Sequence, residues 1–339
     1  MKKICILILV LCLLLAGCAR SGQTENKQYT ATFLELFDTM TAVVGRTDSR
    51  GEFDQISQQV YDDLAHYHKL FDIYHDYEGI NNLKTVNDNA GIAPVTVDGA
   101  IIELLEACKE YYDLTGGKVN VAMGSVLKLW HEARENAGKD PENAKLPEES
   151  ALKEAASHTS LDAVVIDRDA STVFITDGSV QLDVGAVAKG WATQKVAENA
   201  PKGLLISVGG NVCATGPKAE PDTPWVVGVQ DPDGGEGYLY KVNITGGCVV
   251  TSGDYQRYFT VDGKIYHHII DPQTLMPSTY WRSVTVVCAD SGLADALSTA
   301  LFLLPLEEGR ALLAKTGAEA MWVNAQGEKY YSDNFKTIK

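Results

Sequence analysis

The second half of this 339-residue chain is written in short β-branched runs, and that pattern restricts the fold more than any other feature. From Ala163 onward, AVVID, TVFIT, LLISV, WVVGV, YLYKVNI and SVTVV are separated by Gly, Asp and Pro, which predicts short strands joined by tight turns. Two helical stretches interrupt them, near 185–199 and 291–304. Before Ala163 the period is helical. Phe53, Ile56, Val60 and Leu64 recur at helix spacing, and Ile101, Leu104, Leu105, Cys108 and Tyr112 form a second stripe ended by Gly116-Gly117. The expected class is therefore α+β, with a large, mostly antiparallel sheet and flanking helices. No repeat, low-complexity segment or linker divides the chain after its first thirty residues, so one domain, bilobed at most, is expected over 31–339.

Those first thirty residues differ. Lys2 and Lys3 precede an apolar run from Ile4 to Leu15, shorter than the ~20 residues of a membrane-spanning helix. Residues 1–17 therefore predict a signal peptide rather than a short membrane anchor, and the polar, unpatterned 18–30 a flexible tether. The net charge is -16, more acidic still once Lys2 and Lys3 leave. Such a chain is a poor electrostatic partner for nucleic acid or an anionic lipid surface, and an anionic substrate would need local help from a metal ion or backbone donors. Cys108, Cys213, Cys248 and Cys288 lie in apolar runs without a CxxC pair. Buried free thiols are expected, zinc is not, and a location outside the cytoplasm would permit a disulfide.

Four stretches can carry chemistry. LDVGAVAKGWATQKVAENA runs from a strand-like end through Asp183 and Gly185 into a helix bearing Lys189, whose N-terminus suits a phosphate; it also fits a capped helix with a solvated lysine. It matches neither dinucleotide-binding nor P-loop glycine spacing. In SGLADALSTALFLL, Asp295 and Thr299 are four residues apart and share a helix face, as Mg²⁺ ligands or as a surface Asp with Thr bonded to its own backbone. ISVGGN and VVTSGDYQRYF open into glycines that serve close ligand approach or plain turns. In YHHIIDP, strand alternation sends His267 and His268 to opposite faces, so only one can face a site.

Taken together, LDVGAVAKGWA, ISVGGNVCATG, TSGDYQRYFTVDGKIYHHIIDPQT and SVTVVCADSGLADALSTALF, in this order, resemble the ApbE-like FAD:protein FMN transferases. The resemblance runs from about Ala31 onward and is densest over 182–304. LAGC, ending at Cys18, is similar to the lipobox of bacterial lipoproteins, common in that family. This implies a lipidated Cys18 and an extracytoplasmic protein anchored to a bacterial membrane. The family implies an ApbE-like, T-fold-like architecture. It also implies Mg²⁺-dependent transfer of FMN from FAD to a Thr or Ser hydroxyl of a target protein, such as a membrane or extracytoplasmic redox protein, with AMP released.

By position, the resemblance implies that Asp183 contacts FAD, that Lys189 lies beside it, and that the Ala186 carbonyl joins Asp295 and Thr299 on Mg²⁺. His268 is the histidine before IIDP, as a base for the acceptor hydroxyl or as a phosphate orienter, and Ile269 lines the flavin pocket. Met40 of FDTMTAVV, Tyr74 of FDIYHDY, and Lys118, Val119 and Asn120 of GGKVNVAMG take FAD-contacting positions. Met40-Thr41-Ala42 departs from the usual Met-Gly-Thr, and Asn120 from a commonly acidic position. Two rivals use the same residues: a Mg²⁺-dependent FAD pyrophosphatase giving FMN and AMP, and a non-catalytic flavin-binding lipoprotein. The last gives Asp295, Thr299 and His268 no reason to occur together.

Overall fold

One long sheet organises the protein. The computed structural model describes residues 27–335, apart from 220 and 236. In chain order the strands of the sheet are β1 (Lys27–Leu36), β2 (Thr39–Thr47), β6 (Leu204–Val208), β7 (Asn211–Ala214), β10 (Gly247–Gly253), β13 (Ser283–Cys288), β14 (Glu319–Val323) and β15 (Lys329–Tyr331). They lie side by side in that order, and every neighbouring pair is antiparallel. The expected class is the one observed.

Strand alternation gives the sheet two apolar faces. Helices α1 (Arg50–Phe71), α6 (Ala188–Asn199) and α7 (Ser291–Phe302) cover one, over Val43, Ile206, Val286 and Trp322. The other is covered by the hairpin β8 (Trp225–Gln230) and β9 (Tyr238–Ile244), which packs Trp225, Val227 and Ile244 against Val249, Met321 and Val323. Helix α7 is apolar nearly all round because it is enclosed all round, with Ala296, Leu297 and Phe302 fully buried. Between 72 and 182 lie α2 (Leu83–Asp88), α3 (Gly99–Leu114), α4 (Gly124–Lys139), α5 (Glu149–Ala156), and the small sheet of β3 (Val95–Thr96), β4 (Val164–Asp167) and β5 (Thr172–Ile175). Their Leu83, Ile101 and Val173 belong to the same continuous core as Val43 and Leu297.

The sequence patterns need three corrections. The amino-terminal part opens with the β1–β2 hairpin, not with helix, and β1 starts at Lys27, so the tether expected over 18–30 ends earlier. The signal peptide expected over 1–17 and Cys18 lie outside the described residues. The hairpin turns on Phe37 and Asp38 at φ 52° and 54°, a left-handed pair ordinarily written Asn-Gly, so no glycine announces it. Tertiary contacts hold that turn: the Phe37 N–H donates to His68 Nδ1 at 3.2 Å, and the two rings meet edge to face. Among the described residues no helix is long and apolar enough to cross a membrane.

The third correction concerns the thiols. Cys213 and Cys248 are a disulfide, leaving Cys108 and Cys288 free. Direct register between β7 and β10 brings the pair together, a relation that a separation of 35 residues hides in the sequence. Non-reducing proteolysis and mass spectrometry should recover one Cys213–Cys248 cross-link with Cys108 and Cys288 alkylated. The double variant Cys213→Ala/Cys248→Ala should lose about 3–4 kcal/mol in urea unfolding, the loop-closure value for a bridge of this span.

Candidate active site

A cavity of about 1020 Å³ opens where α6 meets α7, walled by the β1–β2 turn, the segment after α1, α4 and the loop before α6. Beside the cavity the two helices cross at Gly190. A Cβ there would lie 2.3 Å from the Ser291 carbonyl oxygen and 2.4 Å from Asp295 Cβ, so only glycine permits the approach. At that distance the Gly190 N–H donates to Asp295 Oδ2 at 2.8 Å, an oxygen also approached by Asn211 Nδ2 at 3.4 Å and Lys189 Nζ at 3.7 Å. Gly190 is the third residue of α6, so its N–H is one of the first-turn donors that no helical carbonyl takes, and Asp295 supplies the acceptor. The Ala186 carbonyl, in the turn before α6, has no backbone donor either.

Among the described residues, Ala186 O, Asp295 Oδ1 and Thr299 Oγ1, all belonging to residues of the cavity wall, have no protein donor. Thr299 makes no bond back to its own helix; Ser298 Oγ takes the Asp295 carbonyl instead, at 2.9 Å. Hard, mixed-charge oxygen donors are the kind that Mg²⁺ takes, and these three residues would hold it. Among the described residues no cluster of three or more His, Cys, Asp or Glu offers a competing metal centre. Asp295 is 4% exposed, and burial pushes its carboxyl above the ordinary range against the pull of Lys189. A divalent cation on Oδ1 would relieve that desolvation.

The histidine pair lies at the mouth of the hairpin β11 (Tyr258–Val261) and β12 (Lys264–His267). His267 faces away from the cavity and is buried. Its Nε2–H donates to the Ser278 carbonyl at 2.6 Å while Nδ1 accepts from the Ile269 N–H at 3.2 Å, so both nitrogens hold the following turn. His268 lines the cavity. Its N–H donates to the Arg257 carbonyl at 3.1 Å, one rung beyond the Tyr258–His267 pair, which puts the Arg257 and His268 side chains on one face. Burial, then the charges of Arg257, His267, Lys189 and Arg134, lower its pKa to about 3, so the imidazole is neutral at pH 7. Nδ1 is buried without a hydrogen-bond partner. Because β12 has ended, Ile269 can line the cavity as well.

The sequence profile of the ApbE family matches residues 34–322. The chain belongs to the ApbE family. An FAD:protein FMN transferase of Treponema pallidum (strain Nichols) is 37% identical over 260 residues, 71% of this chain and 70% of that one. One from Klebsiella pneumoniae (strain 342) is 31% identical over 255 residues, covering 72% and 76%. The crystal structure of the ApbE protein of Thermotoga maritima MSB8 superposes with a TM-score of 0.81 at 29% identity, covering 92% of this chain and 99% of that one.

In this ApbE-family chain Tyr74, Lys118, Val119, Asn120, Asp183, Ala186, Lys189, His268, Ile269, Asp295 and Thr299 all line one cavity. Met40 does not. It is 59% exposed on β2, and its neighbours Asp38 and Thr39 supply the wall instead. Lys118 pairs with Asp271 of IIDP at 2.9 Å, tying the two halves of the wall together. Asn120 spends its side chain on structure, with Nδ2 donating to the Thr159 carbonyl and Oδ1 accepting from the Ala122 N–H. Asp183 Oδ1 accepts from the Gly185 N–H at 2.8 Å, and burial raises its carboxyl. Lys189 is not simply solvated; Nζ also reaches the Gly185 carbonyl at 3.4 Å. Tyr74 stacks on His131, ring centres 5.4 Å apart.

His131, Arg134 and Arg257 also line the cavity and are absent from the sequence expectations. Help for an anion is thus not confined to metal and backbone: four Lys and Arg side chains, Lys118, Arg134, Lys189 and Arg257, share the wall. The helical spacing of Leu127, Trp130, His131 and Arg134 was the available signal for α4. Gly190→Ala should force α6 from α7, costing about 1–3 kcal/mol in urea unfolding. It should also weaken Mg²⁺ binding by calorimetry. Wild-type values in both would show the crossing has slack.

Proposed function

We propose that this protein moves FMN from FAD to a Thr or Ser hydroxyl of an acceptor protein and releases AMP. The observation that carries it is the donor-free oxygen set of Ala186, Asp295 and Thr299 facing the same cavity as the neutral His268. The naming of its relatives as FAD:protein FMN transferases supports the same activity. The acceptor oxygen forms a bond to the FMN phosphorus, the phosphorus bond to the bridging oxygen breaks, and that electron pair leaves on AMP. His268 takes the hydroxyl proton. Its pKa is lowered first by burial and then by the neighbouring cations, and an entering pyrophosphate offsets the second of these causes. Mg²⁺ held by Ala186, Asp295 and Thr299 supplies charge neutralisation at the phosphates. Asp183, Lys189, Lys118, Val119, Ile269, Tyr74 and the Asn120 backbone surround FAD, with Met40 left outside that set.

The test is to incubate the protein with FAD, Mg²⁺ and a candidate redox acceptor and weigh the acceptor by mass spectrometry. One FMN phosphoester and stoichiometric AMP are expected. FMN and AMP without an adduct would make it a pyrophosphatase, and flavin binding without turnover a binding protein. Asp295→Ala should abolish turnover at ordinary Mg²⁺, and Thr299→Ala should weaken it less, because water can replace a hydroxyl. His268→Ala should bind FAD yet react ~10²- to 10⁴-fold more slowly. His267→Ala should lower stability while the folded fraction stays active.

The chain is also proposed to be an extracytoplasmic lipoprotein anchored through Cys18, on the LAGC pattern. Cys18→Ala should move the protein out of the detergent phase on partitioning, with transfer unchanged. Membrane retention of that variant would refute lipid anchoring.

A further inference from the structure

We propose that Arg257 and Arg134 form a guanidinium clamp on the phosphate of the FMN half of FAD, beside His268. The proposal rests on the transferase function and adds two residues to it. Of the four Lys and Arg side chains in the wall, Lys118 is matched by Asp271 and Lys189 by Asp295. Arg134 donates only to His131 Nδ1, at 2.8 Å, and among the described residues neither arginine has a carboxylate within ion-pair distance. Asp183 and, for Arg134, Glu135 are the acids near them; Glu135 pairs with His131 at 3.3 Å, and Asp183 Oδ1 is taken by the Gly185 N–H. Two guanidinium groups sharing a cavity without a counterion are repaid only by an anion that reaches both.

The fold sets where that anion must lie. Trp130, one helical turn before Arg134, packs on Phe259 and Tyr266, with ring centres 6.3 and 6.2 Å away. Phe259 and Tyr266 are paired across the hairpin two residues from Arg257 and His268, on the same face. Helix α4 therefore brings Arg134 against the hairpin face that carries Arg257 and His268, and burial together with the Arg257 charge lowers the Arg134 pKa. Planar guanidinium forks match phosphate oxygens bidentately, which an ammonium cannot. Since His268 serves the attacked phosphorus, the clamped phosphate is that of FMN, while Lys189 and the oxygen set fall to the leaving side. The Arg134–His131 bond and the His131–Tyr74 stack connect the clamp to the aromatic wall.

The test uses the full chain in detergent with EDTA, titrated calorimetrically with FMN, riboflavin and AMP. Wild type should prefer FMN over riboflavin. Arg257→Met and Arg134→Met should each weaken FMN ~10- to 100-fold, as expected for a lost charged hydrogen bond, and leave riboflavin and AMP unchanged. Arg257→Lys should restore FMN affinity only in part. Equal loss of riboflavin would show a structural role and overturn the clamp. Loss of AMP with FMN retained would put the pair on the leaving group and also overturn it. A wild type that binds FMN and riboflavin alike refutes the clamp but leaves flavin transfer standing. A wild type that binds no flavin and forms no adduct refutes both.

Discussion

The approach of α6 to α7 at Gly190 governs the chemistry available to this protein. Without a side chain at 190, the α7 backbone comes close enough for Asp295 to accept from a first-turn N–H of α6 that has no helical acceptor. That contact fixes the carboxylate through Oδ2, and the Ala186 carbonyl in the preceding turn has no donor of its own. Open acceptors on a cavity wall are destabilising unless water or an ion satisfies them. The helix crossing therefore builds an oxygen site that is complete only with something bound. Its rigidity comes from the core, in which Ala296, Leu297, Leu301 and Phe302 of α7 are fully buried.

The β11–β12 hairpin imposes a second constraint, through register. Its pairing sets His267 and His268 to opposite faces, and then the strand stops, so His267 can spend both ring nitrogens on the turn that carries Ile269 and Ser278. A buried histidine with both nitrogens engaged is a structural brace, and its ring edge rests on Phe302 of α7. That brace links the hairpin to the helix bearing Asp295 and Thr299. His268 and the open oxygens of Asp295 and Thr299 are thus held in one frame by a residue that lies outside the cavity wall.

Much of this was legible in the sequence where chemistry and periodicity coincide. Asp295 and Thr299 share a helical face, His268 alternates with His267, and the β-branched runs after Ala163 mark strands. The parts that were not legible depend on relations between distant segments. The β1–β2 turn uses two non-glycine residues at positive φ, stabilised by His68 from α1, and no local signal encodes that. The Cys213–Cys248 pairing follows from strand register. Met40 was placed by resemblance, yet the wall there is made by the preceding turn. Arg134 sits at helical spacing from Leu127, Trp130 and His131, and only the placement of α4 against the cavity makes it a wall residue.

The acidic composition and an anionic substrate are reconciled by distance. At physiological ionic strength the field of exposed carboxylates fades over about 8 Å, whereas contacts inside a partly dehydrated cavity are screened far less. The net charge of -16 thus weakens non-specific attraction of polyanions without preventing a ligand from binding once it is inside. Within the wall the cations differ in kind: Lys118 and Lys189 are matched to carboxylates and serve the frame, whereas Arg134 and Arg257 have none. Selectivity follows from that division. A small inorganic anion can satisfy the guanidinium groups but leaves the aromatic wall of Tyr74 and His131 wet, and a neutral flavin does the reverse. Only a ligand that joins a phosphate to a flat aromatic ring gains both sets of contacts, so the hydrophobic wall and the unpaired charges each become productive through the other.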